Sequence, residues 1–177
     1  MSDTWTTDGP DPREGAGPTR GEKQCVLDYL RAYRITLELK CEGLDAEQLA
    51  RRSVPPSTMS LLGLVRHLAQ VEHTWARRCL EGLDDRVDRL YLGPDGLPVD
   101  FEVVPDDAVV TEAWATWRRE VAHAEEVSAR LEPGDRVTWR GEELEVRDVW
   151  VHLVEEYARH CGHADLLREC VDGRTGQ

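Results

Sequence analysis

Hydrophobic positions recur at three- and four-residue steps in four separate stretches of the chain, the signature of amphipathic helices. In the first stretch Val26, Leu27, Leu30, Tyr33 and Leu37, extended by Cys41, share one face, and Gly43 is placed to end it. The second follows the Pro55-Pro56 pair, through which no helix can run. Ser57 or Ser60 caps it, and Leu61, Leu64, Val65, Leu68, Val71, Trp75 and Leu80 form its stripe as far as Gly82. A loop rich in Gly, Pro and Asp spans Gly93 to Asp107. The third helix begins near Asp107 with Val110, Trp114, Trp117, Val121, Ala124 and Leu131 inward, and Pro133-Gly134-Asp135 stops it. The last runs from Val146 to Val171, with Asp172-Gly173 at its end.

Two short alternating runs, Val137–Trp139 and Leu144–Val146, flank Arg140-Gly141-Glu142-Glu143 and predict a small hairpin before the last helix. Four helices of roughly 20 residues each, with one long and two shorter connections, predict an all-α four-helix bundle. The bundle is expected to occupy residues 22–177 as one domain. Residues 1–21 carry Gly9, Pro10, Pro12, Gly15, Gly17 and Pro18 and little that can be buried, which predicts a flexible tail.

Charge narrows the function. The chain has 22 Lys+Arg against 35 Asp+Glu, a net charge of −13, whereas binding to nucleic acid or an anionic membrane needs a basic face. No run of about 18 apolar residues predicts a membrane span, and Met1 to Arg20 has no apolar stretch of the kind an export signal carries. Five cysteines, an odd number, form no CxxC or CxxxC pair. They read as reduced thiols in a cytoplasmic protein, not as a disulfide framework or a cysteine-built zinc site.

The last helix holds the informative polar residues: His152, Glu156, His160 and His163. With His152 at zero, a helical step puts Glu156 near 40°, His160 near 80° and His163 near 20°, about one stripe. Glu156 and His160, four apart, stand one turn above the other and can reach a single cation. A second helix must then contribute, and His67 is the best candidate. It lies among Leu64, Val65, Leu68 and Val71, where a neutral polar ring needs a partner. His73, about 120° around that helix from His67, reads as a surface residue. Two imidazoles and one carboxylate with a position left open make the donor set of catalytic zinc sites, and the same set holds iron, nickel or manganese. Against this, a histidine near an apolar face is commonly a hydrogen-bonded core residue, and a Glu–His pair four apart is commonly a surface pair.

Other features have plainer readings. Trp75, Trp114, Trp117 and Trp150 at helical spacing belong to the core. Asp84-Asp85-Arg86 and Glu142-Glu143 are expected to be solvated. Cys161 points about 100° away from His160 and reads as packing. Arg159, Asp165, Arg168 and Glu169 read as salt-bridge partners along the helix.

Two segments carry a family resemblance. Pro55-Pro56-Ser57-Thr58-Met59-Ser60-Leu61-Leu62-Gly63-Leu64-Val65-Arg66-His67-Leu68, followed by Val71-Glu72 and Trp75, resembles the second-helix motif of the DinB-like metal-binding family. Glu155-Glu156-Tyr157-Ala158-Arg159-His160-Cys161-Gly162-His163-Ala164-Asp165-Leu166-Leu167-Arg168-Glu169, then Asp172-Gly173, resembles its fourth-helix motif. The likeness spans roughly residues 22–175 and is closest to the mycothiol-dependent S-transferase branch. It implies a metal held by His67, Glu156 and His160. Many relatives have His where Glu156 stands, and Asn or Arg is more usual in the place of Cys161.

The resemblance implies thiol chemistry: a divalent metal, Zn2+ before Ni2+ or Fe2+, and mycothiol as the low-molecular-weight thiol that attacks an electrophilic small molecule. The role would be detoxification or natural-product biosynthesis. His163, one turn beyond His160, is the candidate for a direct catalytic role at thiol or substrate. Glu72 is a candidate partner behind a ligand, and His152 a weaker one beside the site. Two other classes share these features: a metal-dependent hydrolase or mycothiol-dependent isomerase on the same scaffold, and a non-catalytic metal-binding stress protein. The extra C-terminal domain of some relatives is absent, which sets the isomerase lower. Exposed faces of such bundles pair, so a homodimer is expected.

Overall fold

The computed structural model describes residues 11–13, 21–84 and 86–176. The predicted tail falls outside the described residues except at 11–13 and Gly21, the latter already helical. Four long helices make the bundle: α1 (Gly21–Cys41), α3 (Leu61–His73), α4 (Asp107–Ala129) and α5 (Val146–Asp172). α1 packs along α5, α3 packs along α4, and α3 also meets α5. Leu30, Leu37, Leu61, Leu64, Leu68, Leu153, Tyr157 and Leu167 close the main core between them. Each such leucine stabilises the fold by about 1.5–3 kcal/mol through burial.

Local chemistry sets the helix ends. Ser60, not Ser57, caps α3, its Oγ accepting the Gly63 amide at 3.1 Å. The Asp106 side chain accepts from Ala108 at the start of α4. α5 ends on Gly173 at φ 79°, the left-handed residue that closes a helix most readily when it has no Cβ.

Several expectations needed correction. Between Gly43 and the prolines a short helix, α2 (Ala46–Ala50), is held by a capping box in which Asp45 accepts from Gln48 and the Gln48 side chain answers the Asp45 amide. Five residues are too few to show a helical period. The second long helix changes hydrogen-bonding pattern after His73 and continues as a π-helix from Thr74 to Leu80. α4 ends at Ala129, several residues before Pro133.

The hairpin exists, with β1 (Arg136–Trp139) antiparallel to β2 (Glu142–Glu145) and Trp139 paired with Glu142. Its turn is only Arg140-Gly141, both at positive φ (52° and 88°), the two-residue geometry that matches strand twist. Glu142 and Glu143 therefore join a strand, although both stay exposed as expected, and Val146 opens α5.

Trp117 and Trp150 are buried, but Trp75 and Trp114 are only half-buried. Asp84 pairs with Arg78, and Asp85 lies outside the described residues. His73 is not on the surface: it is 6% exposed, with Nδ1 3.2 Å from Glu120 and Nε2 2.9 Å from the Asp88 carbonyl oxygen. Both ring nitrogens are thereby satisfied, so the ring can be buried at little cost.

A charged network crosses the core. Arg34 of α1 donates twice to Glu72 of α3, at 2.8 Å each. Tyr157 of α5 donates to Glu72 at 2.7 Å and accepts from Trp117 of α4 at 2.8 Å. Burial, followed by the Glu72 charge, pushes the Tyr157 hydroxyl well above its ordinary value, so it stays protonated and able to donate. All four long helices are tied to one another through Glu72, which is fully buried.

Candidate metal centre

His67, in the middle of α3, faces the stripe of α5 that carries Glu156 and His160. One donor atom from each of the three lies within 4.8 Å of the others, the one such cluster of His, Cys, Asp and Glu among the described residues. The rings of His67 and His160 meet edge to face, with centroids 4.6 Å apart. Nε2 of His160 is 3.4 Å from Glu156 Oε2. The His160 side chain is 10% exposed and that of Glu156 18%, so the carboxylate sits at the rim and the imidazole deeper.

Burial lowers the pKa of His160 to about 4, and the neighbouring His67, His163 and Arg159 push in the same direction. The ring is therefore neutral at pH 7, with one nitrogen lone pair available. Two imidazoles and a carboxylate converging from two helices suit a divalent cation of the zinc type.

Around the three donors the remaining residues separate cleanly. His163 lies behind His160, their Nδ1 atoms 3.3 Å apart, so it contacts the ring nitrogen turned away from Glu156. His152, one turn before Glu156, has Nε2 3.4 Å from Oε1 of that carboxylate and its ring 4.5 Å from Trp75. Trp75 in turn meets Trp139 of the hairpin at 5.8 Å, which sets an aromatic wall beside the N-terminal side of the cluster. Cys161 points away, its thiol against the Tyr33 carbonyl oxygen at 3.6 Å; burial pushes that thiol up to about 12. Asp165 pairs with Lys40, and Arg168 with Asp172 and the carbonyl oxygens of Lys40 and Glu42, so both serve the packing of α5 on α1. Glu72 is not behind a donor residue; its carboxylate is taken up by Arg34 and Tyr157.

The carboxylate that does stand behind a donor residue is Asp100. Its Oδ2 is 2.8 Å from His67 Nδ1, and the residue is 7% exposed. Burial raises its pKa, but the bond from His67 and the other contacts outweigh burial and leave it below the usual carboxylate value. The next residue, Phe101, stacks on the His67 ring at 5.3 Å. Neither is reachable by helical periodicity, because both belong to the long connection between α3 and α4. An acidic residue followed by an aromatic one in a loop otherwise rich in Gly and Pro was the only signal.

The sequence model of the mycothiol-S-transferase family matches residues 25–173. No curated protein and no solved structure matches the chain.

Proposed function

Because the chain belongs to the mycothiol-S-transferase family, we propose that it is a metal-dependent enzyme joining the sulfur of mycothiol to an electrophilic small molecule. One observation carries this reading: His67, Glu156 and His160 bring three donor atoms within 4.8 Å of one another, one fewer protein ligand than a closed structural zinc site uses. These three residues would hold the ion, Zn2+ before Ni2+ or Fe2+. When bound, a divalent cation of this kind favours the thiolate form of a thiol at neutral pH and offers it a fixed position.

The chain's own groups do the rest. His67 and His160 would supply nitrogen lone pairs and Glu156 one negative charge, a donor set that would leave a sulfur held there richer in electrons than three imidazoles would. His163 supports the His160 ring from its far nitrogen. His152 and the Trp75–Trp139 pair bound the adjoining surface on one side of the three donors.

In the reaction the thiol loses its proton to solvent and a sulfur–carbon bond forms. With an alkyl halide the carbon–halogen bond breaks and halide departs with the electron pair. No helix among the described residues is long and apolar enough to cross a membrane, and the five cysteines are free. We place the protein in the cytoplasm as a domain spanning 22–177, with a homodimer as its assembly. The electrophile belongs to detoxification or to a biosynthetic pathway.

The test is metal content of the purified protein together with mass spectrometry after incubation with mycothiol and monochlorobimane. About one metal per chain and a metal-dependent bimane conjugate above the uncatalysed rate are expected. Turnover of a substrate without consumption of thiol would instead mark an isomerase or hydrolase, and metal with no chemistry on any electrophile would mark a binding protein.

A further inference from the structure

The connection between α3 and α4 is a built strap rather than a slack loop. Its two arms are bridged at Leu92 and Pro98, with Val99 donating to the Tyr91 carbonyl oxygen at 2.9 Å and Gly93 to that of Leu97 at 2.8 Å. Arg66, the residue before His67, fastens it to α3 twice: its guanidinium lies 4.2 Å over the Tyr91 ring, and Nη1 donates to the Glu102 carbonyl oxygen at 2.8 Å. Phe101 closes over α3 at Gly63, where an added Cβ would stand 2.7 Å from Phe101 Cδ1 and 3.3 Å from its Cα. The glycine is thus required by the closeness of the strap. Between these fastenings lies Asp100, 7% exposed, with its carboxylate on His67 Nδ1 at 2.8 Å.

We infer that Asp100 is a positioning residue for the metal centre, delivered by the strap to lock His67 in one tautomer and one ring orientation. A carboxylate oxygen accepts, so Nδ1 carries the proton and donates, and the lone pair of His67 is confined to Nε2. Phe101, stacked at 5.3 Å with an interplanar angle of 27°, fixes the plane of the same ring. The two contacts leave His67 no freedom to turn its protonated nitrogen toward Glu156 and His160. Carboxylates in this position raise the basicity of the imidazole and commonly govern metal affinity by 10–100-fold or about that. The inference rests on the metal reading above. It adds that a loop residue 33 positions from His67 in sequence helps shape the centre.

Two measurements on the full chain test it. In the first, zinc affinity is determined by competition with a chromophoric chelator for wild type, Asp100→Ala and Asp100→Asn. Affinity should fall about 10–100-fold in Asp100→Ala and less in Asp100→Asn, whose amide oxygen still accepts from Nδ1 but without charge. Thermal midpoints of the metal-free proteins report whether any loss is merely structural. In the second, 15N spectroscopy of the metal-free wild type should show His67 protonated at Nδ1, a readout independent of the variants' folding. Wild type that binds zinc beside an Asp100→Ala protein that binds it equally well overturns the role of Asp100 alone. So does a neutral His67 ring in metal-free wild type whose single proton sits on Nε2 and not on Nδ1. Wild type that takes up no zinc overturns the metal reading, and the positioning role falls with it.

Discussion

Tyr157 donates a 2.7 Å hydrogen bond to Glu72 across the centre of the bundle, and each residue belongs to a helix that also carries a candidate ligand. Glu156 precedes Tyr157 in α5, and His67 lies five residues before Glu72 in α3. The buried bond therefore fixes the relative height and rotation of the two helices that must meet at the metal centre. Arg34 neutralises Glu72 from α1, and Trp117 completes the hydroxyl from α4.

Replacing Arg34 by Ala leaves a fully buried carboxylate without its cation. Breaking a buried pair from one side costs about 3–5 kcal/mol. Arg34→Ala is expected to lower the unfolding free energy by that amount, whereas Tyr157→Phe, which strands the Trp117 N–H, should cost about 1–3 kcal/mol. Equilibrium denaturation by circular dichroism checks both. Losses of only a few tenths in each would mean that Glu72 is not the tie between the helices.

His67→Ala and His160→Ala are each expected to abolish stoichiometric metal binding, and Cys161→Ala to leave it intact, because that thiol faces Tyr33. Elemental analysis of the purified variants is the direct check, and a metal-dependent rise in melting temperature, present in wild type and absent in the two histidine variants, is a second. Full metal content in both histidine variants would refute the ligand assignment.

The same helices illustrate what the amino-acid pattern reveals and what it hides. His67, Glu156 and His160 are legible because helical spacing turns sequence separation into direction, and the hydrophobic stripes say which directions face inward. The four long helices are legible for the same reason, and the hairpin through the two-residue alternation of its short runs. Asp100 is not, since a loop residue's position depends on where the strap is fastened, and the fastening runs through Arg66, Tyr91 and Gly63. His73 reads as a surface residue in the pattern because its angular position on α3 says nothing of Glu120, a buried partner on another helix that offsets the cost of burial. The π-helix after His73 still buries Ala76, Cys79 and Leu80, so the hydrophobic pattern alone does not reveal the change of turn.

Glu120 predicts how the fold responds to acid. Burial opposes its ionisation, but hydrogen bonds from His73, Arg77 and Arg119 outweigh that and bring its pKa from the ordinary 4.5 to about 2. The folded value is depressed, so this contribution to stability is fully present above pH 4.5 and is lost as pH falls toward about 2. Melting temperature should therefore drop between about pH 4.5 and about pH 2, to a smaller extent in Glu120→Gln, and the variant should be less stable than wild type at pH 7. Parallel pH profiles for the two proteins would show that Glu120 contributes nothing to acid sensitivity.

Gly63 offers a way to disturb the metal centre without touching any of its donors. A methyl group there collides with Phe101 at 2.7 Å and crowds both the Phe101 Cα at 3.3 Å and Ser60 Oγ at 3.2 Å, so the strap itself has to move. Overpacking of this kind costs about 1–3 kcal/mol. Because Asp100 adjoins Phe101, the displacement also withdraws the carboxylate from His67. Gly63→Ala is therefore expected to remain helical, to melt lower, and to bind zinc about tenfold more weakly, the effect of losing support behind a ligand. Calorimetric titration beside a circular-dichroism spectrum separates the two consequences. An alanine variant with wild-type zinc affinity and lowered stability would mean that the Asp100–His67 contact survives movement of the strap. Equal affinity and equal stability would mean that Phe101 does not close over α3 in solution.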